Sequence, residues 1–303
     1  MKISILWQII KLTRMPIVLA VIPIFLIGVL FAIRTGAEFS ILNFFWGFSI
    51  LFIIEIAASF ANDYFDYETD NHNNQFGFSG GSGVLLNNPE LLPFAKWASI
   101  FMFILALCLT VIFVQVYSFP IWTIAYIGVA VFFCWFYTAP PFRFVYRGFG
   151  EIPHFLAGIM FPGWGYLILT KTISIDLLIF AIPFGFLGLT VILNFEIPDM
   201  EADIHGGKHN LIVRKGRFFS FIIIMFLYFA ALIFFLILSF ITFLHTLINI
   251  WIITILVSLP FFVSTIPVFK KIASRESATK YAICNAITGF LVVILIAGIL
   301  LIS

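Results

Sequence analysis

The feature that most constrains this sequence is a series of apolar runs of about 20 residues, each long enough to cross the hydrocarbon core of a bilayer. With 63% hydrophobic and only 10% charged residues over 303 positions, the composition excludes an ordinary soluble domain. We predict an all-α, polytopic membrane protein with about nine transmembrane helices, built as a single domain over residues 1–303. The runs lie at about 16–34, 41–62, 93–116, 119–138, 152–170, 177–196, 218–240, 246–269 and 281–302.

The positions of the basic residues predict how these helices are oriented. Arg34 and Lys171 fall in connections on one side, whereas every other Lys and Arg falls on the side of the N-terminus. Because cytoplasmic loops are enriched in Lys and Arg, we expect the N-terminus and the long polar loops to be cytoplasmic, in the plasma membrane. The stretch from Met1 to Leu12 is amphipathic and precedes a full-length span, so we interpret it as an interfacial segment and not as a cleavable signal peptide.

An acidic row, NDYFDYETD at residues 62–70, follows the second apolar run directly. At about 100° per helical residue, Asn62, Asp66 and Asp70 project from one face of a helix. Carboxylates this close repel one another unless a cation lies among them, and Mg²⁺ prefers carboxylate and amide oxygens. The row therefore predicts a magnesium site, and the alternative is a solvated helix end.

A second acidic row, NFEIPDMEAD at residues 194–203, ends the sixth run. Asp199 and Asp203 are four residues apart and share a helical face. Pro198 suits the first position of a helix, so we predict that a new helix begins there and is directed at an anion. A cationic cluster follows at Lys208, Arg214, Lys215 and Arg217. Acids that bind metal beside bases that bind phosphate form the arrangement that a metal-bound diphosphate requires.

Further candidate groups lie in the connections on the same side. The glycine-rich loop FSGGSG at residues 78–83 offers backbone amides to an anion, or is simply a flexible loop. Between the fourth and fifth runs, Tyr137, Arg143 and Arg147 lie near the membrane surface. They belong either to an aromatic girdle or to a substrate path in which the arginines contact phosphate. Arg14, at the rim of the first run, is either an anchor or a ligand contact.

The two acidic rows together resemble the two aspartate-rich signatures of the UbiA superfamily of intramembrane prenyltransferases, and the nine-helix count fits that family. Within the superfamily, three segments are most similar to the menaquinone-pathway branch, which prenylates 1,4-dihydroxy-2-naphthoate: FSGGSGVLL, YTAPPFRFVYRGFGE and NFEIPDMEADIHGGKHNLIVRKG. The motifs cover residues 14 to about 217. That branch usually has Arg-Thr after the glycine-lysine pair, where this chain has His209-Asn210.

This resemblance implies helices that surround a central, cytoplasm-facing active-site cavity. Two Mg²⁺ ions, which Mn²⁺ can replace, would be bridged by a polyprenyl diphosphate. One ion would be held by Asn62, Asp66 and Asp70, and the other by Asp199 and Asp203. The metals would neutralise the leaving diphosphate, so catalysis would depend on Asp66 and Asp199. The isoprenoid tail would lie among the Phe-rich helices and the bilayer.

The resemblance also implies roles for residues outside the two rows. Lys208, together with Arg143 or Arg147, would donate hydrogen bonds to the diphosphate. Tyr137 would stabilise the allylic cation. The expected partners are the bilayer, the diphosphate and an aromatic or lipid acceptor, with no nucleic acid.

Several alternatives to this prediction remain open. The acceptor alternatives to dihydroxynaphthoate are geranylgeranylglyceryl phosphate, 4-hydroxybenzoate and haem. A divalent-cation transporter would instead use the acids as an ion path. Such a site lies near the bilayer midplane, however, whereas these rows lie at helix ends.

Overall fold

A computed structural model describes residues 3–72, 81–241, 244 and 247–302. All regular secondary structure within these residues is helical, which confirms the predicted all-α class. A short 3₁₀ turn at Pro89–Leu91 precedes α7. The helices are α1 (Ile3–Leu12), α2 (Met15–Ala20), α3 (Ile22–Arg34), α4 (Ile41–Phe65), α5 (Tyr67–Asp70), α6 (Val84–Asn87), α7 (Leu92–Val116), α8 (Trp122–Phe136), α9 (Glu151–Thr170), α10 (Ile175–His205), α11 (Leu211–Lys215), α12 (Arg217–Leu238), α13 (Ile250–Phe269) and α14 (Arg275–Ile302).

The long helices coincide with the predicted apolar runs. Within the described ranges, seven helices are long and apolar enough to cross a membrane, and the bent segment Ile5–Ala20 plus Ile22–Arg34, with a 40° break, brings the number to eight. The fourth predicted run forms the shorter apolar helix α8. The protein is therefore a multi-pass membrane protein, while the count of nine spans stays a prediction.

The chain divides into two compact units. The first comprises Met1–Val21, Ile41–Pro153 and Glu201–Asn210. In this unit α4 packs along α7, and α1 and α6 pack beside them. A small apolar core joins these helices. Its buried members are Leu12, Val18, Ile56, Phe60, Val84, Leu85 and Ala95. The amphipathic helix α1 thus buries its end in the unit, while Trp7 near its middle is exposed.

The second unit comprises Ile22–Ser40, His154–Met200 and Leu211–Ser303. Its helices approach one another closely because glycines face neighbouring backbones. A methyl group at Gly28 of α3 would overlap the carbonyl of Pro162 in α9, and one at Gly165 would overlap the carbonyl of Phe25. Contacts of this kind, made by small residues, are how helices pack where lipid removes the hydrophobic driving force.

Helix α10 differs from the prediction at Pro198. No new helix begins there, because α10 continues through Pro198 to His205. A proline inside a helix leaves the local carbonyl ladder incomplete. The carbonyl that lacks its helical donor because of Pro198 is that of Asn194, four residues before. Next to the proline, two arginines donate to other carbonyl oxygens of the helix, Arg217 Nε to Ile197 at 2.9 Å and Arg275 Nε to Pro198 at 3.1 Å. Arg217, which the sequence suggested for a phosphate site, therefore contacts the helix backbone instead.

Candidate active site

The first acidic row lies at the end of α4 in the first unit. Helix α4 ends at Phe65, Asp66 forms a turn, and α5 begins at Tyr67. The helical hydrogen bonds nevertheless continue through the turn, from Asp66 N to Asn62 O at 2.9 Å and from Asp70 N to Asp66 O at 2.7 Å. The four-residue repeat of the predicted row is thus retained across the interruption.

Lys208 joins the first row to Asp203 of the second. Its Nζ lies 3.0 Å from Asp66 Oδ2 and 3.3 Å from Asp203 Oδ1. The three side chains are 11%, 13% and 6% exposed, so solvent screens this cluster little. Burial alone would lower the pKa of Lys208, but the carboxylates of Asp203 and Asp66 raise it well above its usual value. Lys208 is therefore a permanent cation between two acids that come from distant parts of the sequence.

The other oxygen of each of these two acids accepts a hydrogen bond from a neutral group. Tyr146 Oη donates to Asp66 Oδ1 at 2.7 Å. Asn210 Nδ2 donates to Asp203 Oδ2 at 2.7 Å. Each carboxylate is thus held between the ammonium group on one side and an uncharged donor on the other.

Asp63 and Asp70 anchor the described end of the glycine-rich loop. The backbone N–H of Ser82 donates to Asp63 at 3.1 Å, and Arg14 Nη1 lies 3.7 Å from Asp63 Oδ1. Gly81 packs against Asp70 so closely that a methyl group there would overlap Asp70 Oδ2. Burial, and then the charge of Asp66, raise the pKa of Asp70 to about 8. Residues 73–80, which include the Phe78–Gly80 part of this loop, lie outside the described part of the chain.

The donor chemistry of this site fits a hard divalent cation. Asp63, Asp70 and Asp203 are buried carboxyl groups. Burial, and then the charge of Asp66, raise the pKa of Asp70, so a cation bound there would stabilise its ionised form. Among the residues that the structure describes, no three His, Cys, Asp or Glu side chains already surround one metal position. The ammonium group of Lys208 lies between Asp66 and Asp203 instead.

The remaining predicted residues fall into two groups. Near the acids, Asn62 Oδ1 accepts a hydrogen bond from Thr138 Oγ1 at 3.1 Å, and the Arg143 guanidinium stacks 3.8 Å above the Tyr146 ring. Arg147 is exposed. Asp199 belongs to the second unit and is 9% exposed. The structure thus brings together Asp66, Asp70, Asp203 and Lys208, with Arg14 on Asp63, and leaves the roles of Tyr137, Arg147 and Asp199 as predictions.

Sequence reasoning missed Asp63 and two side chains that contact the acids, Tyr146 and Asn210. Asp63 lies within the first row, but the four-residue spacing selects Asn62, Asp66 and Asp70. Tyr146 lies in a segment rich in aromatic residues, and the sequence does not distinguish it from Tyr137 as a contact of the acids. Asn210 was visible only as a departure from the pattern of the menaquinone branch.

Two histidines that follow the acidic rows, His72 and His205, stack with ring centroids 5.6 Å apart.

Solved structures with a similar fold cover nearly the whole chain. A digeranylgeranylglyceryl phosphate synthase is 20% identical with a TM-score of 0.66, covering 96% of this chain and 98% of that one. A UbiA homologue from Archaeoglobus fulgidus, solved bound to DMAPP and Mg²⁺, is 16% identical with a TM-score of 0.65, covering 94% and 99%. A UbiA homologue from Aeropyrum pernix K1 is 12% identical with a TM-score of 0.64, covering 92% and 96%.

The sequence itself matches one family over most of its length. The model of the UbiA prenyltransferase family matches residues 20–287 of the 303 residues. No curated protein matches the sequence. The family match decides between the two classes that the acidic rows left open, in favour of an enzyme over a cation transporter. With the helical fold and the paired acidic rows, it establishes that the chain belongs to the UbiA prenyltransferase family.

Proposed function

We propose that this protein transfers a polyprenyl group from a polyprenyl diphosphate to 1,4-dihydroxy-2-naphthoate in a Mg²⁺-dependent reaction of menaquinone biosynthesis. Residues 1–303 would form one prenyltransferase domain. The observation that carries the proposal is the meeting of Asp66 and Asp203, from the two acidic rows, at one cation. A site that holds a cation between acids from both rows suits a substrate whose diphosphate arrives with divalent metal.

The acids of the two rows would hold the metal. Asn62, Asp66 and Asp70 form one proposed set, and Asp199 and Asp203 the other. Bound Mg²⁺ would neutralise the negative charge that develops on the leaving diphosphate as the allylic C–O bond breaks. A solved UbiA homologue that holds DMAPP with Mg²⁺, and another structure that holds GPP with Mg²⁺, support the use of a divalent metal.

The basic residues of the first unit would bind and orient the diphosphate. Lys208 already lies among the carboxylates, and it would donate to a diphosphate oxygen when the substrate arrives. The guanidinium of Arg143 lies 3.8 Å from the centre of the Tyr146 ring, and it would donate hydrogen bonds to the diphosphate from there. Arg14 pairs with Asp63 beside the glycine-rich loop, so it would steady the loop end that faces the phosphate groups.

Two acceptors are each favoured by a feature of the sequence or fold. The segments FSGGSGVLL and YTAPPFRFVYRGFGE favour dihydroxynaphthoate because they resemble the menaquinone branch. A second candidate is geranylgeranylglyceryl phosphate. It is favoured by His209-Asn210, which departs from that branch, and by the similar fold of a digeranylgeranylglyceryl phosphate synthase. In either case we propose that the protein lies in the plasma membrane with its acidic rows on the cytoplasmic side.

The test is a prenyl-transfer assay on the purified protein with Mg²⁺, labelled polyprenyl diphosphates and a panel of acceptors. We expect transfer to 1,4-dihydroxy-2-naphthoate, loss of activity on chelation, and its return with Mg²⁺ or Mn²⁺. Asp66→Ala and Asp199→Ala should each reduce turnover by several orders of magnitude. Asp176→Ala, which changes an acid in the first turn of α10, is the matched control and should remain active.

Two results would contradict the proposal in different ways. Transfer to geranylgeranylglyceryl phosphate but not to dihydroxynaphthoate would replace the acceptor and retain the chemistry. Full activity of the Asp66 or the Asp199 variant would contradict the assignment of metal to both rows.

A further inference from the structure

The acids that face Lys208 share a pattern of hydrogen bonding that their sequence positions do not suggest. In Asp66 the oxygen Oδ2 faces the ammonium group and Oδ1 accepts from Tyr146. In Asp203 the oxygen Oδ1 faces the ammonium group and Oδ2 accepts from Asn210. Each carboxylate therefore has one oxygen committed to an uncharged donor and one directed at the cation.

The hydrogen-bond direction at Tyr146 follows from the chemistry of its partners. An ionised carboxylate only accepts, so the single O–H of Tyr146 must point to Asp66. The contact between Thr69 Oγ1 and Tyr146 Oη, at 3.0 Å, is then a hydrogen bond that Thr69 donates. A phenol, with an ordinary pKa of about 10, is protonated at neutral pH and so has this hydrogen to donate. The result is a relay of fixed direction, from Thr69 to Tyr146 to Asp66.

The packing around this relay holds it in place. Thr69 is 3% exposed and Tyr146 is 8% exposed. The backbone of Gly206 lies so close to Thr69 that a methyl group at Gly206 would overlap the threonine side chain. Arg143 covers the ring of Tyr146 at 3.8 Å. The phenol therefore has little freedom to leave the carboxylate.

Asn210 makes the corresponding contact in the second row. Its side chain is fully buried, and the amide nitrogen donates to Asp203 at 2.7 Å. Only the nitrogen of the amide can serve a carboxylate, so its orientation is fixed by the partner. The backbone N–H of Lys208 donates to the Asp203 carbonyl at 2.9 Å, which folds the chain back so that Asn210 reaches the acid.

We propose that Tyr146 and Asn210 are matched positioning residues. Their hydrogen bonds fix Asp66 Oδ1 and Asp203 Oδ2, so that the other oxygen of each carboxylate, Asp66 Oδ2 and Asp203 Oδ1, is presented to the bound cation. The inference rests on the proposed function, in which these acids bind divalent metal. Neither residue touches the reacting atoms. Groups that orient metal ligands in this way commonly change metal affinity or activity by about 10-fold to 100-fold when they are removed.

The test measures metal binding without turnover. Mn²⁺ binding to the full-length protein in detergent, without prenyl diphosphate, is followed by electron paramagnetic resonance for the wild type, Tyr146→Phe and Asn210→Leu. We expect each variant to raise the Mn²⁺ dissociation constant by about 10-fold or more. Tyr281→Phe is the matched control, since its hydroxyl also contacts a cation, Lys270 at 3.0 Å, but lies in the second unit; its affinity should equal that of the wild type.

A second measurement separates positioning from general damage to the fold. If Tyr146→Phe only weakens metal binding, prenyl transfer should return toward the wild-type rate as Mg²⁺ is raised, whereas a damaged fold would leave it low at every Mg²⁺ concentration. Wild-type Mn²⁺ affinity in both variants, or loss of activity that Mg²⁺ does not restore, would overturn the inference. Absence of Mn²⁺ binding in the wild-type protein would instead count against the proposed function.

Discussion

Replacing Lys208 by methionine tests the central ion cluster most directly. The substitution keeps an unbranched side chain but removes the cation that neutralises Asp66 and Asp203, which are 13% and 6% exposed. Breaking a buried ion pair from one side costs about 3–5 kcal/mol. The loss has a ceiling, because an abandoned carboxylate can take up a proton instead. At pH 7 that protonation costs about 4 kcal/mol for a group with an ordinary pKa of about 3.9. We therefore expect a destabilisation of about 3–4 kcal/mol.

The assay is thermal unfolding of the detergent-solubilised protein in metal-free buffer, followed by tryptophan fluorescence. Lys208→Met should unfold well below the wild type. Lys215→Met is the control, because Lys215 is exposed and its removal abandons no buried acid. Equal unfolding temperatures for all three proteins would refute the reasoning that the cluster is a buried, unscreened ion network.

Added Mg²⁺ provides the second half of this test. In the wild type the ammonium group and a metal ion compete for the same carboxylate oxygens, whereas in Lys208→Met the metal meets no competitor. Because a ligand stabilises the folded state according to its affinity, Mg²⁺ should raise the unfolding temperature of the variant more than that of the wild type. An equal shift in both proteins would show that Lys208 and the metal do not share a position.

Three further predictions concern metal binding by Asp70, the packing of Gly81 and the orientation of the protein in the membrane. Below its pKa of about 8, Asp70 holds a proton that a metal ion must displace. Mn²⁺ affinity should therefore increase about tenfold per pH unit up to about pH 8 and then level off. An affinity that is constant from pH 6.5 to 8.5 would contradict a ligand role for Asp70. Gly81→Ala should push Asp70 aside and weaken Mn²⁺ binding at least tenfold in calorimetry, whereas Gly128→Ala, which has open space, should not; equal affinities would mean that the loop adapts. In a background without native cysteines, Asn71→Cys should react with an impermeant maleimide only from the cytoplasmic side and Glu38→Cys only from outside. Reaction of both from one side would contradict the predicted topology, and the opposite pattern would reverse the orientation.

Much of the architecture was predictable because it depends on local hydrophobicity. A run of about 20 apolar residues has few choices in a membrane, so the helices lie where the sequence predicts them. The first acidic row kept its spacing for a similar reason, since the hydrogen bonds from Asp66 and Asp70 continue the helix through the turn. The error at Pro198 arose because a proline is locally a good helix start. Membrane helices also tolerate proline in their interior, and α10 continues through Pro198 to His205.

The details of the site were beyond sequence reasoning because they depend on contacts between distant segments. The spacing of the acids predicts a cation site, but the helix that carries the first row contains no basic residue that would identify Lys208 as the cation at Asp66. Which oxygen of Asp66 faces the cation is decided by Tyr146, 80 residues away. Which oxygen of Asp203 faces it is decided by Asn210, on the far side of a glycine turn. The spacing of residues along one helix cannot predict either contact, because each joins the acid to a residue outside its helix.

The distance between Asp66 and Lys208 along the chain also has a consequence for how the protein is made. Lys208 follows Asp66 by 142 residues. At a synthesis rate of about 5–20 residues per second, about 7–28 s pass between the synthesis of Asp66 and that of its counter-ion Lys208. During that interval the carboxylates can stay ionised only in contact with water or with a cation from the surrounding solution. The nascent chain must therefore hold the end of α4 at the membrane surface, and the row can settle into its buried position only after the second row has been synthesised.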